Sequence, residues 1–438
     1  MMLRSIITMA VAALVAVGAV PTPARAQAPI EGELNLITPV SKFIHDAALK
    51  AFADYAKEKW NVTVKVNAIP AGTPVAYGRI TEWKGRPEVD IFWGGESALF
   101  EKLAEQKLLQ KVEISKEAWD SIPASIGKPK PIPLKDKDGF WVGTALEPYG
   151  LVYNPKRLQR LGVTAPKDWD DLLNPKLKGE VAQCAPTRSS SSNATYEVML
   201  SLLGEDRGWD WLRKLAANTG HFTARSRDVP TVVAKGEFAA GFAVPSYMAF
   251  EEKLAGFDIK FVAPKNAFVT PEPMAILAGA RNPKAARAFI EFLLTERGQK
   301  VFMERGLFPV TPKYKVQGAP GSTAELAVEF TGGVRSYFEA EVANVYDEAV
   351  AAKRSEALKT RFRSDIEARW DELKKYRRRR PARHDHRDPG RHQALRRGDR
   401  GGPRGSHRGG RRALHPARPL GLWQDHPAAP LSWVLPTR

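Results

Sequence analysis

From Glu33 onward the chain alternates short runs rich in β-branched and aromatic residues with stretches of helical periodicity, and that alternation narrows the fold more than any other feature. The apolar runs at 34–37, 62–68 and 89–93 read as strands, followed by an extended stretch at 144–153. Further strands are expected at 180–184, 239–244 and 259–262, with a return through 268–280. Between them, Phe43, Ala47, Ala51 and Tyr55 recur on one helical face, and long helices are expected at 282–305, 325–352 and 355–375. Strands interleaved with helices predict an α/β fold built on a mainly parallel sheet covered on both faces. At 438 residues the chain exceeds what one core usually spans, so two lobes are expected.

The formal charge of +18 suggests a nucleic-acid partner until it is located. Residues 377–438 hold sixteen Arg against four Asp, and residues 1–26 hold only Arg4 and Arg25. In 27–376, 49 Lys and Arg face 45 Asp and Glu, so the body is nearly neutral and a basic DNA-binding face is excluded. Arg4, the apolar run at 6–20 and the closing Ala24-Arg25-Ala26 read as a cleavable secretory signal peptide over 1–26. Cys184 is the only cysteine, which leaves neither a disulfide nor a lipidated N-terminal cysteine. Export without either points to a periplasmic location. Cys184 itself reads as a small buried residue.

Loops at the carboxyl ends of parallel strands are where open α/β sheets bind ligands. Three of them share one chemistry: Thr38 to Ser41, Gly94-Gly95-Glu96-Ser97, and the run Arg188-Ser189-Ser190-Ser191-Ser192-Asn193. All are small or hydroxylated and each opens a helix, whose free N–H groups and partial positive charge suit a carboxylate, phosphate or phosphonate. Any one alone reads as an N-cap; three together point to a site. Arg188, Arg225 and Arg227 are placed to add bidentate contacts to an oxyanion or, equally, to pair with Asp228. His45, inside a helix beside Asp46, reads as a solvated or capping residue. Trp60, Trp169, Trp209 and Trp211 read as core, with Trp93 nearer the cleft. The chain has no Gly-x-Ser-x-Gly elbow, no paired His-Glu metal helix and no cysteine with a neighbouring histidine motif, so a binder is expected ahead of an enzyme.

Several phrases in order, VDIFWGGE (89–96), YGLVYN (149–154), WDDLL (169–173), the serine run, RDVP (227–230), GEFAAG (236–241) and PEP (271–273), resemble the substrate-binding proteins of ABC importers. The similarity lies with the class that includes ferric-iron, phosphonate, sugar-phosphate and polyamine binders, and covers about 31–312. It implies the two-lobed periplasmic binding protein fold of type II, crossed by two hinge strands at 144–147 and 270–273. Lobe one would comprise 31–143 and 271–376 with the closing helices, and lobe two 148–268. The ligand would meet Thr38, Ser41, Gly95 and Glu96 from the first lobe and Ser189, Ser190, Ser191, Asp228, Ser246 and Tyr247 from the second, with Glu147 and Glu272 at the crossings. The implied function is a monomeric periplasmic receptor that delivers a small solute to an inner-membrane ABC permease and its cytoplasmic ATPase, with no cofactor and no nucleic acid. An oxyanion such as a phosphonate or sugar phosphate is the expected ligand. Ferric iron and a polyamine are alternatives, and an enzyme on a similar scaffold is the competing class. Iron-binding relatives carry an adjacent tyrosine pair, whereas Tyr247 stands between Ser246 and Met248, leaving Tyr149 as the other candidate phenolate.

Beyond Lys375 and Tyr376 Lys, Glu, Ile and Phe vanish and Arg dominates, as in GC-rich DNA read in the wrong frame. RPLGLWQDH (418–426), coded as CGG CCC CTC GGG CTC TGG CAA GAC CAC and read one base later, gives Gly-Pro-Ser-Gly-Ser-Gly-Lys-Thr-Thr, the phosphate-binding loop of an ABC ATPase. Residues 377–438 are therefore expected to be a disordered basic tail produced by a frameshift, contributing nothing to ligand binding. The competing reading is a basic segment attracted to anionic lipid or nucleic acid.

Overall fold

The structure is a computed structural model that describes residues 29–264, 266–340 and 342–376. The signal peptide expected at 1–26 and the tail expected at 377–438 lie outside the described residues. In chain order, the first lobe is opened by β1 (Glu33–Thr38), α1 (Lys42–Trp60), β2 (Lys65–Pro70), α2 (Thr73–Trp83), β3 (Ile91–Trp93) and α3 (Ser97–Glu105). The strand β4 (Val142–Tyr153) leads into β5 (Val181–Cys184), α4 (Ser190–Leu203), α5 (Glu205–Asn218), β6 (Thr219–Thr223), α6 (Asp228–Ala234), β7 (Ala240–Pro245), α7 (Ser246–Leu254) and β8 (Lys260–Val262). The chain returns on β9 (Val269–Leu277) to α8 (Pro283–Leu293), α9 (Glu296–Met303), α10 (Thr323–Phe330), α11 (Glu348–Phe362) and α12 (Trp370–Tyr376).

These strands form one mixed sheet in the order β6-β5-β7-β4-β9-β3-β1-β2. The pairs β1/β2, β1/β3, β5/β6 and β5/β7 are parallel, as the alternating pattern predicts. The central pairs β4/β9, β4/β7 and β9/β3 are antiparallel, which corrects the mainly parallel expectation and identifies the two returning strands as the cause. β4 is twelve residues long and buried along nearly its whole length; its first half pairs with β9 and its second with β7 and β8. It therefore belongs to both lobes. Thr270 pairs with Glu147 and Pro271 with Leu146 at the crossing, where Pro148, Pro271 and Pro273 each remove a ladder N–H and the register shifts.

Aromatic packing fixes each lobe. Phe52 meets Phe289 edge-on at 5.2 Å, and Trp93 meets Phe302 at 6.0 Å, joining α1, α8 and α9 to one face of the sheet. On the opposite face Phe92 stacks on Phe100 at 4.5 Å. In the second lobe Tyr196, Trp169 and Trp211 surround Phe242.

Two long helices expected from the sequence are each interrupted. The stretch at 282–305 divides into α8 and α9 because Thr295 caps a new start, accepting from the Gly298 N–H at 3.2 Å. The stretch at 325–352 stops at Phe330, ahead of Gly332 and Gly333, both in the left-handed region, and helix resumes only at Glu348. The closing helices, expected with the first lobe, pack instead on the second: Leu358, Phe362 and Ile366 join the cluster that holds Tyr196 and Leu212.

Candidate functional site

A cleft of about 370 Å³ lies where the helix starts of the two lobes face each other beside the β4/β9 crossing. On the first lobe, Ser41 caps α1 by accepting from the Phe43 N–H at 3.2 Å, and Thr38 anchors the loop by donating to the Trp93 carbonyl at 2.8 Å. Gly94 and Gly95 hold φ of +90° and +113°, a turn open to glycine because it leads straight from β3 into α3. On the second lobe, Ser189 occupies the N-cap of α4 and its side chain makes no capping bond. The serine run is therefore not spent on capping its own helix: Ser189, Ser190 and Ser191 line the cleft, whereas Ser192 is fully buried.

Hydrogen bonds join the walls. Ser41 donates to Glu251 Oε2 at 2.7 Å, the Thr73 and Ser190 hydroxyls meet at 3.1 Å, and Asn193 donates to Glu96 Oε1 at 3.4 Å. The lobes thus touch across the opening on both sides of the cavity.

The cleft floor is acidic. Glu147 and Glu272, 7% and 4% exposed, hydrogen-bond to each other, and Glu147 also accepts from Tyr149 and, at 3.1 Å, from Thr270. Burial pushes Glu147 up to about 7, and burial together with the charge of Glu147 holds Glu272 well above the usual carboxylate range. Two carboxyls this close share a proton. Half-buried Glu96 is likewise pushed up to about 7 by burial, against the pull of Lys359 and its bond from Asn193. The Tyr149 and Tyr247 phenols are held well above 10 by burial and the neighbouring carboxyls, so both are neutral donors.

The cleft rim is cationic but partnered. Arg225 lies 3.1 Å from Asp228, Arg227 3.4 Å from Glu251, Arg188 3.1 Å from Glu367 and Lys42 2.5 Å from Asp46. All four border the cleft.

Of the residues expected at the ligand, Thr38, Ser41, Gly95, Glu96, Glu147, Ser189, Ser190, Ser191, Tyr247 and Glu272 line this cavity. Asp228 and Ser246 do not. Asp228 is held by Arg225 through its backbone N–H and guanidinium, and Ser246, fully buried, donates to the Gly306 carbonyl at 3.0 Å. Trp93 is buried in the first-lobe core rather than at the cleft, and His45 is buried, with Nδ1 3.0 Å from the Val40 carbonyl, rather than solvated. Sequence reasoning missed Thr73, whose signal was the helix start Gly72-Thr73-Pro74, and Tyr346, which packs tilted against Phe268 at 5.6 Å from a segment with no strong local pattern. Among the described residues, no group of three or more His, Cys, Asp or Glu is placed to hold a metal.

Residues 87–326, more than half of the chain, match the family described as bacterial extracellular solute-binding protein. The chain is 27% identical over 226 residues to the phosphoglycerate transport regulatory protein PgtC of Salmonella typhimurium, an alignment covering 51% of this chain and 54% of that protein. It therefore spans about half the length of that relative. It is 25% identical over 276 residues to the major ferric iron-binding protein of Neisseria meningitidis, covering 61% of this chain and 79% of that one. Among solved structures, the periplasmic binding protein AfuA from Actinobacillus pleuropneumoniae, with exogenous fructose-6-phosphate bound, superposes with a TM-score of 0.62 at 24% identity, over 77% of this chain and 99% of that one. The match is to its two-lobed fold.

Proposed function

We propose that this chain, which belongs to the bacterial extracellular solute-binding protein family, is the periplasmic receptor of an ABC importer and closes its lobes on a small molecule bearing a phosphate, phosphonate or similar oxyanion. The observation that carries this reading is the start of α4: an N-cap serine with no capping bond, followed by Ser190 and Ser191 on the cavity wall, with Arg188, Arg225 and Arg227 bordering the same cavity. The N–H groups of a helix start favour an oxyanion, and the bordering guanidinium groups, although paired with Asp228, Glu251 and Glu367, keep further donors to share with one. The names of two of the similar proteins, one a phosphoglycerate transport regulator and one seen with fructose-6-phosphate, fit the same chemistry. Export through residues 1–26 and delivery to an inner-membrane permease complete the reading, and binding rather than turnover is the activity.

Mass spectrometry of what co-purifies with the exported protein identifies the ligand, and calorimetry with 3-phosphoglycerate and fructose 6-phosphate tests the class. Replacing Ser190 and Ser191 together by Ala lowers affinity for the bound oxyanion at least tenfold; unchanged affinity overturns the assignment. A second reading, ferric iron, draws on Tyr149 and Tyr247, which both face the cleft. A visible tyrosinate-to-iron charge-transfer band on adding ferric citrate would put it first. Reproducible turnover of any bound phosphate ester would replace the receptor with an enzyme.

A further inference from the structure

Beside the β4/β9 crossing lies a second cavity, of about 230 Å³, that a solute held in the cleft does not use. Pro148 of β4, Phe261 of β8, Phe268, Val269, Val334 and Val342 give it apolar walls, and among the described residues no charged side chain lines it. The partition between this cavity and the cleft is thin. Phe268 stacks on Tyr149 at 4.4 Å and lies 5.6 Å from Tyr346, and both tyrosines line the cleft. Pro148 stands between Glu147 and Tyr149, and Val269 precedes Thr270; Glu147 and Thr270 also line the cleft. Cavity and cleft therefore share one aromatic ring and two strands as a common wall.

The far wall is the segment 331–342 that follows α10, and it brings two hydroxyls. That of Thr331 donates to the Ala327 carbonyl at 2.7 Å and is spent on the end of α10. Tyr337, held edge-on against Phe308 at 4.7 Å, is only 5% exposed, and its hydroxyl makes no hydrogen bond among the described residues. Burial alone pushes its phenol up, so the group is a neutral donor. A buried hydroxyl without a partner is costly. Water is a poor filling here, because an ordered water needs about two to four polar partners. An apolar cavity of roughly 150 Å³ holds a benzene ring, so the larger space beside Phe268 has room for a ring with a short side chain.

We propose that this cavity is a second binding site, for a small apolar ring compound bearing one hydrogen-bond acceptor such as a carbonyl, whose acceptor meets the Tyr337 hydroxyl and whose ring packs on Phe268. Apolar burial drives the binding and the single hydroxyl orients it. The occupant rests on the ring that backs Tyr149, so its presence is felt on the cleft wall. The site stands whatever the cleft itself binds.

The test is nuclear magnetic resonance on the exported protein with isotopically labelled tyrosine rings, the signals of Tyr149, Tyr247 and Tyr337 being assigned by replacing each in turn with Phe. The probes are acetophenone and ethylbenzene, similar in shape, of which only the first carries an acceptor. Acetophenone is expected to shift the Tyr337 signal and, through Phe268, that of Tyr149, leaving Tyr247 on the cleft unmoved. It should bind about fivefold more tightly than ethylbenzene, and Tyr337→Phe should bring the two within about twofold. Val334→Phe, which fills the cavity, should abolish binding of both probes; Val342→Phe, like it checked for folding by circular dichroism, guards against a defect at one position. No Tyr337 shift with acetophenone, equal affinity of the wild type for the two probes, or binding that survives both filling substitutions overturns the proposal. A shift at Tyr247 in place of Tyr337 puts the probe in the cleft and overturns it too, and a still Tyr149 signal beside a moving Tyr337 refutes the shared wall.

Discussion

The Ser41 hydroxyl does two jobs at once: it accepts from the Phe43 N–H to cap α1 and donates across the cleft to Glu251 Oε2 at 2.7 Å, while Glu251 also holds Arg227. Ser41→Ala removes both. Loss of the cap is expected to cost about 1 kcal/mol of stability. Loss of a hydrogen bond to a carboxylate made across the lobes should weaken ligand binding by roughly tenfold, about 1.4 kcal/mol. Thermal melting reads the first and calorimetry the second, and Ser41→Thr, which keeps the hydroxyl, should restore most of both.

Stability should fall as pH rises across neutrality. Glu147 and Glu96 are pushed up to about 7 from an ordinary value of 4.5, so between those values the folded protein binds more protons than the unfolded chain. Their stabilising contribution is full below pH 4.5 and is lost as pH climbs through 7, with a slope of at most about 1.4 kcal/mol per pH unit for each group. Melting of the ligand-free protein between pH 5 and 8 should show a declining midpoint. In Glu147→Gln the decline should flatten; an identical profile would refute the assignment.

At Gly94 a Cβ would stand 2.6 Å from Val40 Cγ2 and 3.0 Å from Glu272 Oε2, at a φ of +90°. Gly94→Ala should therefore destabilise by about 1–3 kcal/mol through backbone strain alone. It should also displace the Glu272 carboxyl and weaken ligand binding, whereas Gly179→Ala, with equally positive φ but open space around it, should cost stability only.

Arg354 on α11 reaches the fully buried Glu197 of α4 with Nε at 3.0 Å and Nη2 at 2.5 Å. Arg354→Ala strands that carboxylate, with an expected loss of about 3 kcal/mol in denaturant unfolding. Adding Glu197→Leu should recover most of it, because the penalty comes from the unpaired charge more than from the lost contact.

The Cys184 thiol, buried and pushed up to about 11 by desolvation, should not react with a thiol reagent in the native protein at pH 8 and should react fully in denaturant. Native labelling would show that the second-lobe core opens.

The sequence announced the strands and helix starts because each is local. The run at 144–153 is an apolar stretch bounded by turn residues, and Ser41 precedes an amphipathic helix, so both could be read where they stand. The edges slipped where burial and pairing disagree: the run at 62–68 is apolar from Val62, yet pairing starts only at Lys65, opposite Glu33. What could not be read was long-range. Asp228 and Ser246 carry the right chemistry for a ligand, but Arg225 and the Gly306 carbonyl engage them first. Tyr346 enters the cleft only because 343–344 pair with 128–129, a parallel contact between segments more than two hundred residues apart. The mutual hydrogen bond of Glu147 and Glu272 depends on an antiparallel register that neither segment encodes alone.

That β4 runs unbroken from Val142 to Tyr153 through both lobes also governs how the molecule can be divided. A linker can be cut or lengthened without harm to what it joins; β4 is no linker, since removing it would expose β9 on one side and β7 on the other as raw edges. The halves are accordingly not separable modules, and fragments split near Pro148 should aggregate apart and regain solubility only when expressed together. In the intact chain any relative motion of the lobes has to be taken up as torsion of a continuous β-ribbon, whose hydrogen bonds the prolines at the crossing thin out. Such a connection is built as a sprung clasp rather than as two bodies on a string.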